Sequence, residues 1–231
     1  MADLQIVFRN GQKFLENRRT ILLGISPGNP HYYKKENLQK LFSLVKDKSD
    51  KVLLFLPDKL TEHNFKAVGS TNPEKSARAN VNRLRNKCKD VMKQIGCDEE
   101  KFSFVKWVED VEPCPAYTEA FQSIRDLYQE NEKFRFDIQE MTQSALTSIQ
   151  KNREKVPDAP ALPDDTSVID IEEGAIFLQK EIAFFMTLPR IYANCEEFVF
   201  VYHLPCPVLE KYCCGVYDGI VKPFIGIVVV H

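Results

Sequence analysis

The stretch Thr20–Tyr33, TILLGISPGNPHYY, decides the fold. Ile21, Leu22, Leu23 and Ile25 form an almost unbroken apolar run, and Gly24, Ser26, Pro27, Gly28, Asn29 and Pro30 then turn the chain abruptly. That pattern predicts a strand buried on both faces that ends in a forced turn. In an open α/β sheet, ligands gather just beyond the carboxyl ends of the strands. Ser26 therefore stands where a nucleophile would be useful, although a plain strand-to-helix turn that contains a serine explains these residues equally well.

Working outward, Lys34 to Asp47 carries Leu38, Leu41, Phe42 and Val45 at helical spacing, and KVLLFL at 51 to 56 is a second apolar run, stopped by Pro57. Strand, helix, strand of this length is a βαβ unit, which requires a parallel sheet and a right-handed crossover. Upstream, Leu4, Ile6 and Phe8 alternate before a polar stretch, a short lead-in element. Downstream, Asp58–Val68 reads as a short helix, Phe102–Val108 as a third strand, and Ala116–Asn152 as a long helical region with a break near Asn131. REKVPDAPALPDD at 153 to 165 holds three prolines and little apolar content, so it reads as an exposed loop. Val168–Met186 is another helix, which Pro189 should end; Glu197–Tyr202 is a fourth strand, Val208–Cys214 a short helix, and Phe224–Val230 a last strand. The alternation predicts one Rossmann-like α/β domain over residues 1–231, with a mostly parallel sheet of about five strands flanked by helices.

Composition narrows the class. The chain has 231 residues, 44% hydrophobic and 28% charged, which suits a globular core and not a disordered segment. Its longest apolar run near the end, Ile225–Val230, is far shorter than the roughly 18 residues a membrane span needs. The first residues lack the basic-then-apolar order of a signal peptide, so a soluble cytoplasmic protein that does not engage a membrane is expected. The seven cysteines contain no CxxC pair, which argues against a zinc knuckle or a disulfide framework. A net charge of -2 gives no overall pull toward nucleic acid, and DNA is not an expected partner.

One helix departs from that average. Over Glu74–Ile95, Ala77, Val81, Leu84, Cys88, Val91, Met92 and Ile95 form one apolar face. The rest carries Lys75, Arg78, Arg83, Arg85, Lys87, Lys89 and Lys93 against Asp90 as the only acid after residue 75. Arg78, Arg85, Lys89 and Lys93 recur at steps of seven, four and four, on one stripe. A merely solvated face mixes signs; a single-sign stripe in a slightly acidic chain points to a polyanion, most simply a phosphate backbone.

GISPG at 24 to 28 literally matches G-x-S-x-G, and His203 with an acid such as Glu181 could complete a hydrolase triad. Against this, hardly any chain precedes the elbow to build the loop that donates half of an oxyanion hole, and an esterase has no use for the basic helix. No G-x-G-x-x-G follows a strand and no P-loop lysine is present, so neither ATP nor NAD is expected.

GISPGN at 24 to 29, Tyr117 after EPCPA, the helix with Glu181, and VYH at 201 to 203 together resemble a cyclodipeptide synthase, from about Thr20 to the last strand. Asn29, Tyr202 and His203 resemble the family's Asn-Tyr-His subgroup. The resemblance implies a fold similar to the catalytic domain of class I tyrosyl- and tryptophanyl-tRNA synthetases, and two aminoacyl-tRNAs as substrates without any metal or other cofactor; a monomer is expected. Ser26 would attack the first aminoacyl ester, the amine of the second aminoacyl-tRNA would then attack, and a dipeptidyl-serine enzyme would cyclise to a diketopiperazine, a ping-pong scheme. Glu181 would hold or deprotonate the ammonium, Tyr202 would relay a proton, and Tyr117 would line the reaction centre. Asn29 would fix the turn and His203 would support Tyr202. Leu22, Gly24, Phe184 and Phe200 would line the first amino-acid pocket, Phe177 would bind substrate one turn before Glu181, and Arg78, Arg85, Lys87, Lys89 and Lys93 would meet tRNA. The family pattern has a tyrosine where this chain has Phe177, which removes one hydrogen bond to the substrate amine. A non-catalytic tRNA-binding protein of the same fold is the further alternative.

Overall fold

The computed structural model describes residues 4–8, 19–156, 169–192, 197–221 and 225–230. Six strands form one sheet: β1 (Leu4–Phe8), β2 (Thr20–Gly24), β3 (Val52–Phe55), β4 (Phe102–Phe104), β5 (Phe198–Tyr202) and β6 (Ile225–Val230). Their spatial order is β1-β6-β5-β2-β3-β4. The five from β6 to β4 are mutually parallel, the expected Rossmann-like arrangement, and β1 adds an antiparallel edge to β6 with a register irregularity between Ile6 and Phe8. The lead-in is thus a strand that pairs with the end of the chain, a long-range pairing that alternation alone does not announce.

Among the described residues, seven α-helices cover the sheet: α1 (Lys35–Lys46), α2 (Asp58–Ala67), α3 (Pro73–Gln94), α4 (Pro115–Glu130), α5 (Glu132–Asn152), α6 (Ile171–Ile191) and α7 (Pro207–Cys213). Every residue of β2 and β3 is buried, as a sheet covered on both faces demands. The expected break near Asn131 is real: its Oδ1 accepts from Phe134 N at 2.9 Å to start α5, and its Nδ2 donates to the Tyr217 carbonyl at 2.8 Å. Two expectations shift. Pro189 does not end its helix, because α6 runs on to Ile191, and the loss of one amide donor is tolerated in a final turn. The third strand stops at Phe104, and Trp107–Val111 forms a π-helical turn instead. Of the expected loop, Arg153–Lys155 make a short 3-10 turn, and residues 157 to 165 lie outside the described residues.

The pleat sorts side chains between two cores. Leu22, Leu53, Phe55, Phe198, Phe200 and Ile227 face a cluster on the α4, α6 and α7 side, with Trp107, Tyr117, Phe134, Phe184 and Phe185. Ile21, Leu23, Val52, Leu54, Val199, Val201 and Val228 face the α1 and α3 side, with Leu38, Phe42, Leu84 and Cys88. Gly174 lets α6 approach α5 closely; a Cβ there would lie 2.8 Å from Leu146 Cδ1 and from Thr142 Cγ2. Among the described residues, no helix is long and apolar enough to cross a membrane.

Candidate active site

The chain leaves β2 toward β3 on one side and returns as β5 on the other, so the strand order reverses between the carboxyl ends of β2 and β5. A crevice opens at such a point, and both polar strand tips lie there. Beyond Gly24, the Ile25 amide still donates to the Phe55 carbonyl at 3.0 Å, and the Asn29 amide closes the turn on the Ser26 carbonyl at 3.2 Å. Pro30–Tyr33 then form a 3-10 turn, not the α-helix that follows a hydrolase elbow.

Ser26 and Tyr202 meet. A hydrogen bond with Ser26 partly offsets the rise of the Tyr202 phenol, which burial drives first and the neighbouring Glu181 charge second. Tyr202 stacks on Phe200, with centroids 5.5 Å apart, and both rings pack where Gly24 has no side chain. A Cβ at Gly24 would lie 2.8 Å from Phe200 Cε2 and 2.9 Å from Tyr202 Cδ2. Gly24 is therefore needed for close approach.

Glu181 lies two turns into the buried part of α6. A small part of the residue touches solvent, but protein encloses the carboxyl, and this burial pushes its pKa up to about 8. The Cys206 thiol adjoins both, raised by burial and then by Glu181. Phe177, one turn before Glu181, is half-buried against the aromatic core, where Phe184 stacks on Phe55 at 5.0 Å. Tyr117 packs edge-on against Trp107 at 5.4 Å, and its buried hydroxyl has no hydrogen-bond partner among the described residues. Burial also raises that phenol.

His203 points away from this chemistry. Its Nε2 is 2.5 Å from Asn29 Nδ2 and its Nδ1 is 2.7 Å from the Tyr32 hydroxyl. Asn29 Oδ1 already accepts from the His31 amide at 2.8 Å, so its Nδ2 is the end that donates to His203. Tyr32 gives its proton to the Gly24 carbonyl at 2.9 Å and so accepts from Nδ1–H. This network fixes one neutral tautomer. Burial, and then the charge of His31, push the pKa down to about 3. A histidine held at both nitrogens and never protonated near neutrality is a strut, and the triad of a serine hydrolase is not assembled here.

The basic residues divide. Lys75, Arg78, Lys89 and Lys93 are exposed, with Arg78 paired to Glu74 at 2.8 Å. Arg85 is half-buried, 5.7 Å over the Phe104 ring and 3.8 Å from Asp58. Lys87 does not join the outer stripe: its ammonium donates to the Tyr33 carbonyl on the inner side of α3. Sequence reasoning passed over Tyr32, Tyr33 and Asn80. Asn80 carried a legible signal, as a carboxamide between Ala77, Val81 and Leu84 on an otherwise apolar helix face.

The cyclodipeptide synthase family model matches residues 4–230. The chain belongs to the cyclodipeptide synthase family. Membership makes it an aminoacyltransferase that draws on aminoacyl-tRNA. Three solved structures are similar over nearly the whole fold. A cyclodipeptide synthase from Bacillus thermoamylovorans is 22% identical, covering 100% of this chain and 96% of that one, with a TM-score of 0.79. A Mycobacterium tuberculosis protein, described as showing that cyclodipeptide synthetases are related to type I tRNA synthetases, is 17% identical over 98% and 91%, with a TM-score of 0.74. A cyclodipeptide synthase from Candidatus Glomeribacter gigasporarum bound to Phe-tRNAPhe is 18% identical over 92% and 87%, with a TM-score of 0.59. At such identities the likeness establishes the fold. No curated protein matches the chain by sequence.

Proposed function

We propose that the chain joins two amino acids, each taken from an aminoacyl-tRNA, into a cyclodipeptide by ping-pong catalysis at Ser26, as a member of the Asn-Tyr-His subgroup. The reading has it act as a monomer in the cytoplasm, where charged tRNA is found. The observation that carries it is a serine bonded to a buried tyrosine beside a carboxyl of pKa about 8, with the nearby histidine locked neutral. Such a serine has no strong base to activate it, so it suits an ester that is already activated.

In the first step Ser26 Oγ bonds to the acyl carbon and the ribose oxygen leaves, with the serine proton passing through Tyr202 to that oxygen. Glu181 receives the substrate ammonium. Its raised pKa lies close to that of an α-amine (about 7.7–8.0), so the ionised fraction of Glu181 takes the ammonium proton at little cost and yields a neutral amine. Bond balance fixes the next direction. Had the amine of the second aminoacyl-tRNA attacked the serine ester, the dipeptide would end on tRNA and Ser26 would be freed. A dipeptidyl-serine forms only when the serine-bound amino acid's amine attacks the second tRNA ester and expels that tRNA. The new terminal amine then attacks the serine ester, the ring closes, and Oγ leaves with a proton returned through Tyr202. The unpaired Tyr117 hydroxyl offers a hydrogen bond to the bound acyl groups, and Asn29 with His203 holds the turn. Leu22, Gly24, Phe177, Phe184 and Phe200 shape the first pocket, and Lys89 and Lys93, with Arg78 and Arg85, meet tRNA phosphates.

Incubation with mixed charged tRNAs, followed by mass spectrometry, tests the reading. A diketopiperazine is expected, and Ser26→Ala abolishes it together with the acylated protein. Turnover of simple esters with charged tRNA ignored would overturn the proposal.

A further inference from the structure

The inner side of α3 reaches the nucleophile turn. Asn80 is fully buried on the apolar face of the helix. A carboxamide placed there is costly unless its hydrogen bonds are made. Its Nδ2 donates to the Ser76 carbonyl at 3.0 Å, which aims Oδ1 at the Tyr33 hydroxyl, also 3.0 Å away. The same hydroxyl is 3.0 Å from the carbonyl of Pro27, the residue after Ser26. One phenolic proton thus faces three acceptors, the Asn80 Oδ1 and, at 3.5 Å, the Asn80 carbonyl on the helix, and the Pro27 carbonyl on the turn. Lys87 adds a second link through the Tyr33 carbonyl. The outer side of this 22-residue helix carries the exposed Lys89 and Lys93.

Resting on the reading that charged tRNA lies along α3, we propose that Tyr33 is a positioning residue that makes the placement of Ser26 depend on the seating of that tRNA. The helix is the rigid element that both sides share. Phosphates drawn to its outer side displace Asn80 and Lys87 on its inner side, and the Tyr33 proton then goes to Pro27 and holds the turn in the attacking position. Without tRNA on the helix, Asn80 competes for that proton and the turn is held less firmly.

Single-turnover acylation of Ser26, followed by intact-protein mass spectrometry, tests this with two donors. One is full-length charged tRNA at saturation; the other is an aminoacyl CCA trinucleotide, which carries the same ester but too few phosphates to lie along α3. With the amino acid that the wild type accepts, Tyr33→Phe should slow acylation by charged tRNA roughly 10-fold or more. Its affinity for tRNA and its rate with the trinucleotide should not change. Asn80→Ala, which removes the competing acceptor, should instead raise the rate with the trinucleotide and leave the rate with charged tRNA unchanged, and adding Tyr33→Phe should cancel that gain. Tyr33→Phe alone supplies the test if Asn80→Ala does not fold. Equal losses on both donors would mean that Tyr33 merely supports the turn, and no loss on charged tRNA would mean that the tether is idle; either overturns the inference. A wild type that charged tRNA does not acylate fails differently, removing the proposed function and this inference with it.

Discussion

On one side of the sheet Leu22, Phe55 and Phe200 pack against Trp107, Tyr117, Phe184 and Phe185; on the other, Ile21, Leu23 and Val201 pack against Leu38, Phe42, Leu84 and Cys88. The first side is rich in aromatic residues and the second is mostly aliphatic. Aromatic side chains bring broad walls and, in tyrosine, a polar tip that survives burial. Aliphatic packing brings a firm backing with few polar atoms of its own. The two-residue pleat then assigns neighbours to different tasks. Tyr202 meets Ser26 and Glu181, whereas His203, the next residue, braces Asn29 and Tyr32. In the proposed reading, chemistry belongs to the aromatic side and the holding of the turn and tRNA to the other.

The largest expected effect is at Glu181. Glu181→Gln should lower kcat by about 10²–10⁴-fold and leave tRNA affinity alone; the reverse pattern, measured by steady-state kinetics and filter binding, would break the division between the sides. The same variant has a stability signature. Folded Glu181 keeps its proton up to about pH 8, whereas the unfolded carboxyl releases it near 4.5. The folded state therefore binds more protons across that window, and its stability falls as pH rises through it. Glutamine removes the penalty, so the variant should melt like the wild type near pH 4. It should gain on the order of 2–4 kcal/mol by pH 8.5.

Next in size is Gly24→Ala, whose methyl must displace the rings of Phe200 and Tyr202. A loss of about 10² in the acylation rate is expected, and an unaffected rate would show that Tyr202 is not placed by this contact. Phe177→Tyr sharpens the same side in the opposite direction. Restoring a hydroxyl near the ammonium should strengthen the first acylation by an amount near 1.5 kcal/mol, about tenfold, read as kcat/KM. Smallest is the joint change Lys89→Glu and Lys93→Glu on the other side. It should raise KM for charged tRNA and lower the slope of its salt dependence by about one per lysine, with kcat unchanged.

Much of this was legible in the sequence, and for physical reasons. Apolar runs that end in glycine and proline report strands buried on both faces, and β2, β3 and β5 stand where those runs predict. Ser26, Glu181 and Tyr202 were legible as individual residues at strand tips or on a helix. Their convergence was not a matter of spacing, since it depends on the reversal of strand order. What escaped depended on partners remote in the chain. β1 is a strand because β6 pairs with it. Lys87 looked like its basic neighbours, but its direction is set by the Tyr33 carbonyl, 54 residues away. Pro189 signalled an end that tertiary packing overrides.

The contact at Gly174 has a consequence for the carboxylate seven residues further along α6. A helix rises about 1.5 Å per residue, so Glu181 stands roughly 10 Å down a stiff rod from this point. The rod is stopped at its upper end by Leu146 and Thr142, against which only a hydrogen fits. A methyl group at 174 would have to displace the Leu146 and Thr142 methyls, and where those do not give way it acts as a shim that shifts the rod and carries Glu181 away from Tyr202 without touching either residue.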